Sequence, residues 1–171
     1  MFSDKMDNLT TLKKEVSCGF VLYQQTKELR FLLLKLPRPN EWDFPKGHQN
    51  GSETFLETAQ RELKEEVGMD FAKDILVIKK GKEPVSFEYE YKSPTNSSRK
   101  IVLFVASCKK NPIISSEHSV FVWVSPKEAK ELVRFPETCA CLDEIHSLVS
   151  NSNDRDGSGE KLISDGINNI S

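Results

Sequence analysis

The sequence predicts an α/β fold of the α+β kind, a β-sheet packed between helices. Three observations carry that prediction. Apolar, β-compatible runs alternate with helical stretches along the chain. A helical stretch in the middle is bounded by capping residues at both ends. The 171 residues suffice for one core that buries about two-thirds of the unfolded surface, so neither disulfide nor metal is needed to hold it together.

The elements follow in order. SCGFVLY (Ser17 to Tyr23) and LRFLLLKL (Leu29 to Leu36) are apolar strand candidates joined by the polar QQTKE, as a hairpin or a longer β-connection. PRPNEWDFPKGHQNGSE, dense in Pro, Gly and Asn, reads as a loop. Ser52 is the candidate N-cap of a helix from Glu53 to Val67, which Gly68 ends. DILVIKK (Asp74 to Lys80) reads as a strand, and so does VSFEYEY (Val85 to Tyr91), where Phe87, Tyr89 and Tyr91 alternate with Glu88 and Glu90. KIVLFVAS (Lys100 to Ser107) and SVFVWV (Ser119 to Val124) complete the strands. Ser125-Pro126 opens a helix, and a last helix spans Pro136 to Val149. Residues 1–15 are expected to be an extension, 16–149 the folded domain, and 150–171 a flexible tail without apolar period.

Composition narrows the function. With 24 basic and 26 acidic residues interspersed, the net charge of −2 argues against a generic nucleic-acid or membrane surface, so an anionic ligand must be met locally. Cys18, Cys108, Cys139 and Cys141 contain no CxxC pair and read as reduced structural thiols. The start lacks an apolar signal core, and the longest apolar run, Phe31 to Leu34, is far below the roughly 18 residues of a membrane span. A cytoplasmic, monomeric protein is the expectation.

RELKEE (Arg61 to Glu66) is the chemically dense stretch. At about 100° per residue, Leu56, Ala59, Leu63 and Val67 fall within roughly 80° of arc and form a stripe to bury. Glu62 and Glu66 lie about 40° apart on its flank, Glu65 extends the acidic edge, and Lys64 points away. Carboxylates so spaced repel, at a cost of a few tenths of a kcal/mol for an i, i+4 pair. A hard divalent cation turns that repulsion into attraction. A solvated Glu-rich face is the plain alternative for the helix alone.

The spacing extends outward. Gly47 is followed after five residues by Glu53, then after seven more by Arg61-Glu62-Leu63, Lys64, Glu65-Glu66, Val67 and Gly68-Met69. At ordinary residue frequencies, chance agreement is on the order of 10⁻⁹ per start site. This resembles the signature of the Nudix hydrolases. The resemblance implies a mixed β-sheet sandwiched between helices. It implies water attack on a phosphoanhydride and binding of Mg²⁺, with Mn²⁺ possible, by Glu62, Glu65 and Glu66. Gly47 would bring a backbone carbonyl near the metal, and Arg61 would pair with Glu53 to hold the loop against the helix, the alternative being an ordinary surface pair.

NEWDFPKGH, with Trp42, Pro45, Lys46, Gly47 and His48, is similar to the corresponding stretch of the asymmetrical bis(5'-nucleosyl)-tetraphosphatases. Cys18 to Phe20, Leu32 to Leu34, Lys100 and the run Ser115 to Val124 agree over roughly residues 16–148. The resemblance implies hydrolysis of a small dinucleoside polyphosphate, diadenosine tetraphosphate to ATP and AMP. Lys46, with Lys100 as a weaker candidate, would neutralise phosphate. His48 either donates to phosphate or caps the loop. Glu117 would be a further metal ligand or base, although Glu65 or Glu66 is preferred as the base. Tyr89 or Tyr91 would stack an adenine, or either is core; Phe135 stacks or packs its helix.

Two alternatives use the same signature: an RNA 5'-end pyrophosphohydrolase or decapping enzyme, and a diphosphoinositol polyphosphate phosphatase. The first calls for extra basic surface, the second for a denser basic pocket than Lys46, His48 and Arg38 provide. A non-catalytic nucleotide-binding module is the alternative of another class, and such modules commonly lose one of the acids retained here.

Overall fold

The computed structural model describes residues 14–94, 97–118 and 120–153. Its central sheet starts from β1 (Glu15–Gln25), whose alternation sends Cys18, Phe20 and Leu22 to one face and Val21 to the other. β1 pairs in parallel with β9 (Ser98–Cys108) along most of its length and antiparallel with β2 (Leu29–Lys35) only at Tyr23 to Gln25. The two strands then part. The gap is filled by two short strands, β3 (Trp42–Asp43) against β2 and β4 (Lys46–His48) against Ser17 to Gly19 of β1. That opening delivers Lys46 and Gly47 to the end of the sheet.

Outer strands complete a mixed sheet among the described residues: β5 (Ile75–Val77) and β8 (Ser86–Lys92) on β9, and β10 (Phe121–Val124) on β2. β6 (Lys79–Lys80) and β7 (Glu83–Pro84) form a separate small ribbon. Helix α1 (Phe55–Val67) lays Ala59, Leu63 and Val67 on the face holding Phe20, Leu32 and Phe104. A short helix, α2 (Phe71–Asp74), follows it. Helices α3 (Pro126–Leu132) and α4 (Pro136–Asn153) cover the other face, where Ala129, Leu142 and Ile145 meet Phe31, Leu33 and Val105. Each fully buried Leu or Phe contributes roughly 1.5–3 kcal/mol, so both halves of the sandwich hold the sheet. No described helix is long and apolar enough to cross a membrane.

Several boundaries differ from the sequence reading. Thr54, not Ser52, caps α1: its hydroxyl accepts from Glu57 N–H while the Glu57 carboxylate accepts from Thr54 N–H. This reciprocal box satisfies two donors that Ser52 cannot, because residue 55 is Phe. Glu53 therefore stands outside the helix. The stretch Asp74 to Lys80 is not one strand, because Asp70 caps α2 through Asp74 and β5 starts only at Ile75. The Ser125-Pro126 helix start is as expected. Helix α4 runs past Val149 to Asn153; the rest of the expected tail, and residues 1–13 of the expected extension, lie outside the described residues.

Candidate active site

Arg61 is the hub of the acidic wall. Its Nε and Nη2 donate to the two oxygens of Glu53 at 2.8 and 3.1 Å. Nη1 donates to Glu62 Oε1 at 2.6 Å and to Glu65 Oε2 at 3.1 Å, and Nη2 also reaches the His48 carbonyl at 2.8 Å. Glu53 further accepts from Asn50 N–H and the Thr58 hydroxyl. The Arg61 hydrogen bond, followed by that from Asn50, holds the Glu53 carboxyl at about 2. One planar guanidinium thus ties the loop end, the strand β4 and the helix into a single wall.

Glu66 is the buried member of the trio. Its Oε2 accepts from Lys46 N–H at 2.9 Å, and its Oε1 lies 2.9 Å from His118 Nε2. Burial raises its pKa, opposed by the hydrogen bond from His118. Burial is the largest single influence on His118 and works against its charge, but the contacts with Glu66, the Lys35 carbonyl and Glu117 together raise the imidazole pKa. Within SSEHS the sequence singles out Glu117 and gives no sign of His118, its neighbour; 52 residues separate His118 from Glu66 and only the fold joins them.

Two clefts meet here. The smaller, about 310 Å³, is lined by Glu62, Glu65, Glu66 and Glu117 together with Lys46, Gly47, His48 and Asn50. The larger, about 800 Å³, is lined by aromatic Trp42, Tyr91 and Phe135 and by Arg38, Lys46, Lys92, Arg99 and Arg134. Lys46 lines both. Its ammonium sits on Asp43 Oδ2 at 2.5 Å. The wide cleft is therefore more basic than Lys46, His48 and Arg38 alone suggested, although Glu41 pairs with Arg38 and Arg134, and Glu15 with Arg99.

The other expected residues separate. Gly47 lies within β4 and outside the left-handed region; what it needs is space, since a Cβ would come within 2.1–2.3 Å of the Glu62 carboxyl group. His48 keeps its ring exposed, 3.9 Å from Glu15 Oε2. Tyr91 and Phe135 stand 4.6 Å apart, tilted by 30°, at the wide cleft. Tyr89 shares Tyr91's face but not its setting: it is buried in the core, its hydroxyl 3.0 Å from Thr138 Oγ1, and it lines neither cleft. Lys100 lines neither cleft as well. Strand alternation turns it to the α1 side, where Glu88 pairs with it and the Phe55 ring lies 5.0 Å away.

Does this wall suit a divalent cation? The donor set is all oxygen, as Mg²⁺ requires, and the space a Gly47 Cβ would fill is kept open beside Glu62. As they stand, no three acidic, His or Cys side chains among the described residues converge tightly enough to hold an ion. Arg61 Nη1 donates to both Glu62 and Glu65 in this arrangement.

A mixed sheet between helices with this carboxylate wall beside a basic, aromatic-lined cleft defines a class, and the chain belongs to the Nudix family: the NUDIX domain matches residues 13–139. It is a Nudix hydrolase. The mouse bis(5'-nucleosyl)-tetraphosphatase [asymmetrical] is 28% identical over 144 residues, covering 78% of this chain and 94% of the mouse protein. The dihydroneopterin triphosphate diphosphatase of Haemophilus influenzae is 30% identical over 128 residues, covering 71% and 81%. Among solved structures, a Caenorhabditis elegans Ap4A hydrolase binary complex superposes with a TM-score of 0.72 at 20% identity, covering 80% of this chain and 98% of that one. That last likeness concerns the fold.

Proposed function

We propose that the protein hydrolyses dinucleoside polyphosphates in a divalent-cation-dependent reaction, P1,P4-bis(5'-adenosyl) tetraphosphate giving ATP and AMP. The supporting observation is the junction at Lys46. Because Lys46 lines both clefts, one polyphosphate laid across it would have its base toward Tyr91 and Phe135 and an anhydride toward the carboxylate wall. Relatives with the tetraphosphatase activity in their names agree with this reading.

Glu62, Glu65 and Glu66 would hold Mg²⁺ or Mn²⁺, with Glu117 and the Gly47 carbonyl beside them. The bound cation supplies Lewis acidity toward phosphoryl oxygen and acidifies water. Water oxygen bonds to phosphorus as the anhydride P–O bond breaks, the nucleotide departs as its phosphate, and the proton passes to a carboxylate. Glu65 or Glu66 takes that role ahead of Glu117. Arg61 keeps Glu53 and the loop in place, and Lys46 meets phosphate charge in competition with Asp43. The aromatic pair contributes about 1–3 kcal/mol by stacking on a base.

A second reading is favoured by the 30% identical diphosphatase and by the cations Arg38, Lys92, Arg99 and Arg134: a triphosphate on another flat ring, such as dihydroneopterin triphosphate. The test is a panel of diadenosine tetraphosphate, dihydroneopterin triphosphate, a diphosphoinositol polyphosphate and 5'-triphosphate RNA. Each is incubated in ¹⁸O water with and without Mg²⁺. The expected result is the highest kcat/KM for diadenosine tetraphosphate, with label in only one of ATP and AMP. Preference for the pterin moves the assignment to the second reading, and no turnover at all leaves a binding module.

A further inference from the structure

We propose that His118 is a positioning residue, which sets the orientation of Glu66 for a divalent cation; the assignment rests on the carboxylate cleft being the site proposed above. His118 is 9% exposed, and both ring nitrogens are engaged. Nδ1 lies 3.0 Å from the Lys35 carbonyl oxygen. A carbonyl can only accept, so Nδ1 carries the hydrogen and β2 fixes the ring. Nε2 and Glu66 Oε1 then share a hydrogen, which Nε2 carries and donates whenever Glu66 is a carboxylate, while Lys46 N–H donates to Oε2, so Glu66 is gripped at both oxygens.

Within the trio, Glu62 and Glu65 lack such a grip. Glu65 is 58% exposed at its side chain and is held by Arg61, which it shares with Glu53 and Glu62. Glu66 is thus the ligand oriented in advance, and partners behind a metal ligand typically govern affinity by about 10–100-fold. A purely structural role for His118, fastening its loop, is already filled. Ile113 N–H donates to the Val67 carbonyl, Ser115 N–H to the Glu66 carbonyl and Lys35 N–H to the Val120 carbonyl.

Two amides divide the imidazole between them. In His118→Asn the amide nitrogen takes the place of Nδ1 and keeps the Lys35 contact; in His118→Gln it reaches the place of Nε2 and keeps the Glu66 contact. MnCl₂ binding to metal-free protein is read by electron paramagnetic resonance, with thermal melts as the fold control. His118→Asn is expected to bind Mn²⁺ about 10–100-fold more weakly, and His118→Gln to stay within about threefold of wild type. Full retention in His118→Asn, or equal losses in both variants, overturns the proposal. Should neither variant fold, the His118 ring ¹⁵N resonances decide. Saturating MgCl₂ is expected to move Nε2 in the wild type and not in Glu66→Gln, and an unmoved wild-type signal overturns the proposal. Wild-type protein that binds no Mn²⁺ overturns the site itself, a result distinct from unchanged binding in His118→Asn alone.

Discussion

Arg61 grips Glu53 with two prongs, Nε to Oε1 at 2.8 Å and Nη2 to Oε2 at 3.1 Å, and still reaches Glu62, Glu65 and the His48 carbonyl. A lysine ammonium cannot replace that planar fork. Arg61→Lys is therefore expected to keep the charge and lose the geometry, with kcat/KM falling at least about tenfold and the Mg²⁺ requirement rising. Steady-state rates across a MgCl₂ series check this; unchanged kinetics would mean that charge alone suffices.

The same pair sets an acid-stability window. The Glu53 carboxyl is held at about 2, against an ordinary 4.5. A group depressed in the folded state stabilises it fully above the ordinary value, and that contribution drains as pH falls toward about 2. Urea midpoints of the wild type are expected to drop more steeply between pH 4.5 and pH 2 than those of Glu53→Gln. Parallel curves would remove Glu53 from the acid response.

Two glycines separate activity from stability. At Gly47 an added Cβ meets the end of the flexible Glu62 side chain, whereas at Gly19 it lands 2.0 Å from the Pro45 backbone carbonyl oxygen. Gly47→Ala is expected to fold normally and lose at least about tenfold in kcat, because a displaced carboxylate misplaces the reacting groups. Gly19→Ala is expected to lower the melting temperature, since backbone must move. Reversal of that pattern in paired melts and rates would contradict the packing described here.

Tyr91 and Tyr89 divide in the same manner. Tyr91→Ala should raise KM about tenfold or more by removing a stacking surface worth about 1–3 kcal/mol. Tyr89→Phe should leave KM alone and cost about 1–2 kcal/mol of stability, because Thr138 loses a buried partner. A KM change in Tyr89→Phe would place that ring at the substrate after all.

What the sequence disclosed, and what it concealed, follows from range. The α1 stripe and the acidic trio were legible because helical period and signature spacing are local. The Thr54 cap was missed because Ser52 is an equally good cap residue until Glu57 is counted as its partner. Strands β3 and β4 are two and three residues long, too short for any period, and exist because β1 and β2 part. The wide cleft draws Arg38, Lys92, Arg99 and Arg134 from separate places along the chain, so its basic character was invisible in any one segment. His118 had one available signal, its place beside Glu117, and nothing local tied it to Glu66. Lys100 and Tyr89 line neither cleft, because residues one register step apart, or two along one strand face, differ in what covers them.

Whether buried Glu66, with Glu62 and Glu65, works through a divalent cation on a phosphoanhydride is tested most directly by kcat of Glu66→Gln at saturating Mg²⁺ with diadenosine tetraphosphate. Loss of one charged ligand is expected to lower kcat by about a hundredfold or more while the protein stays folded. Turnover at the wild-type rate would contradict it.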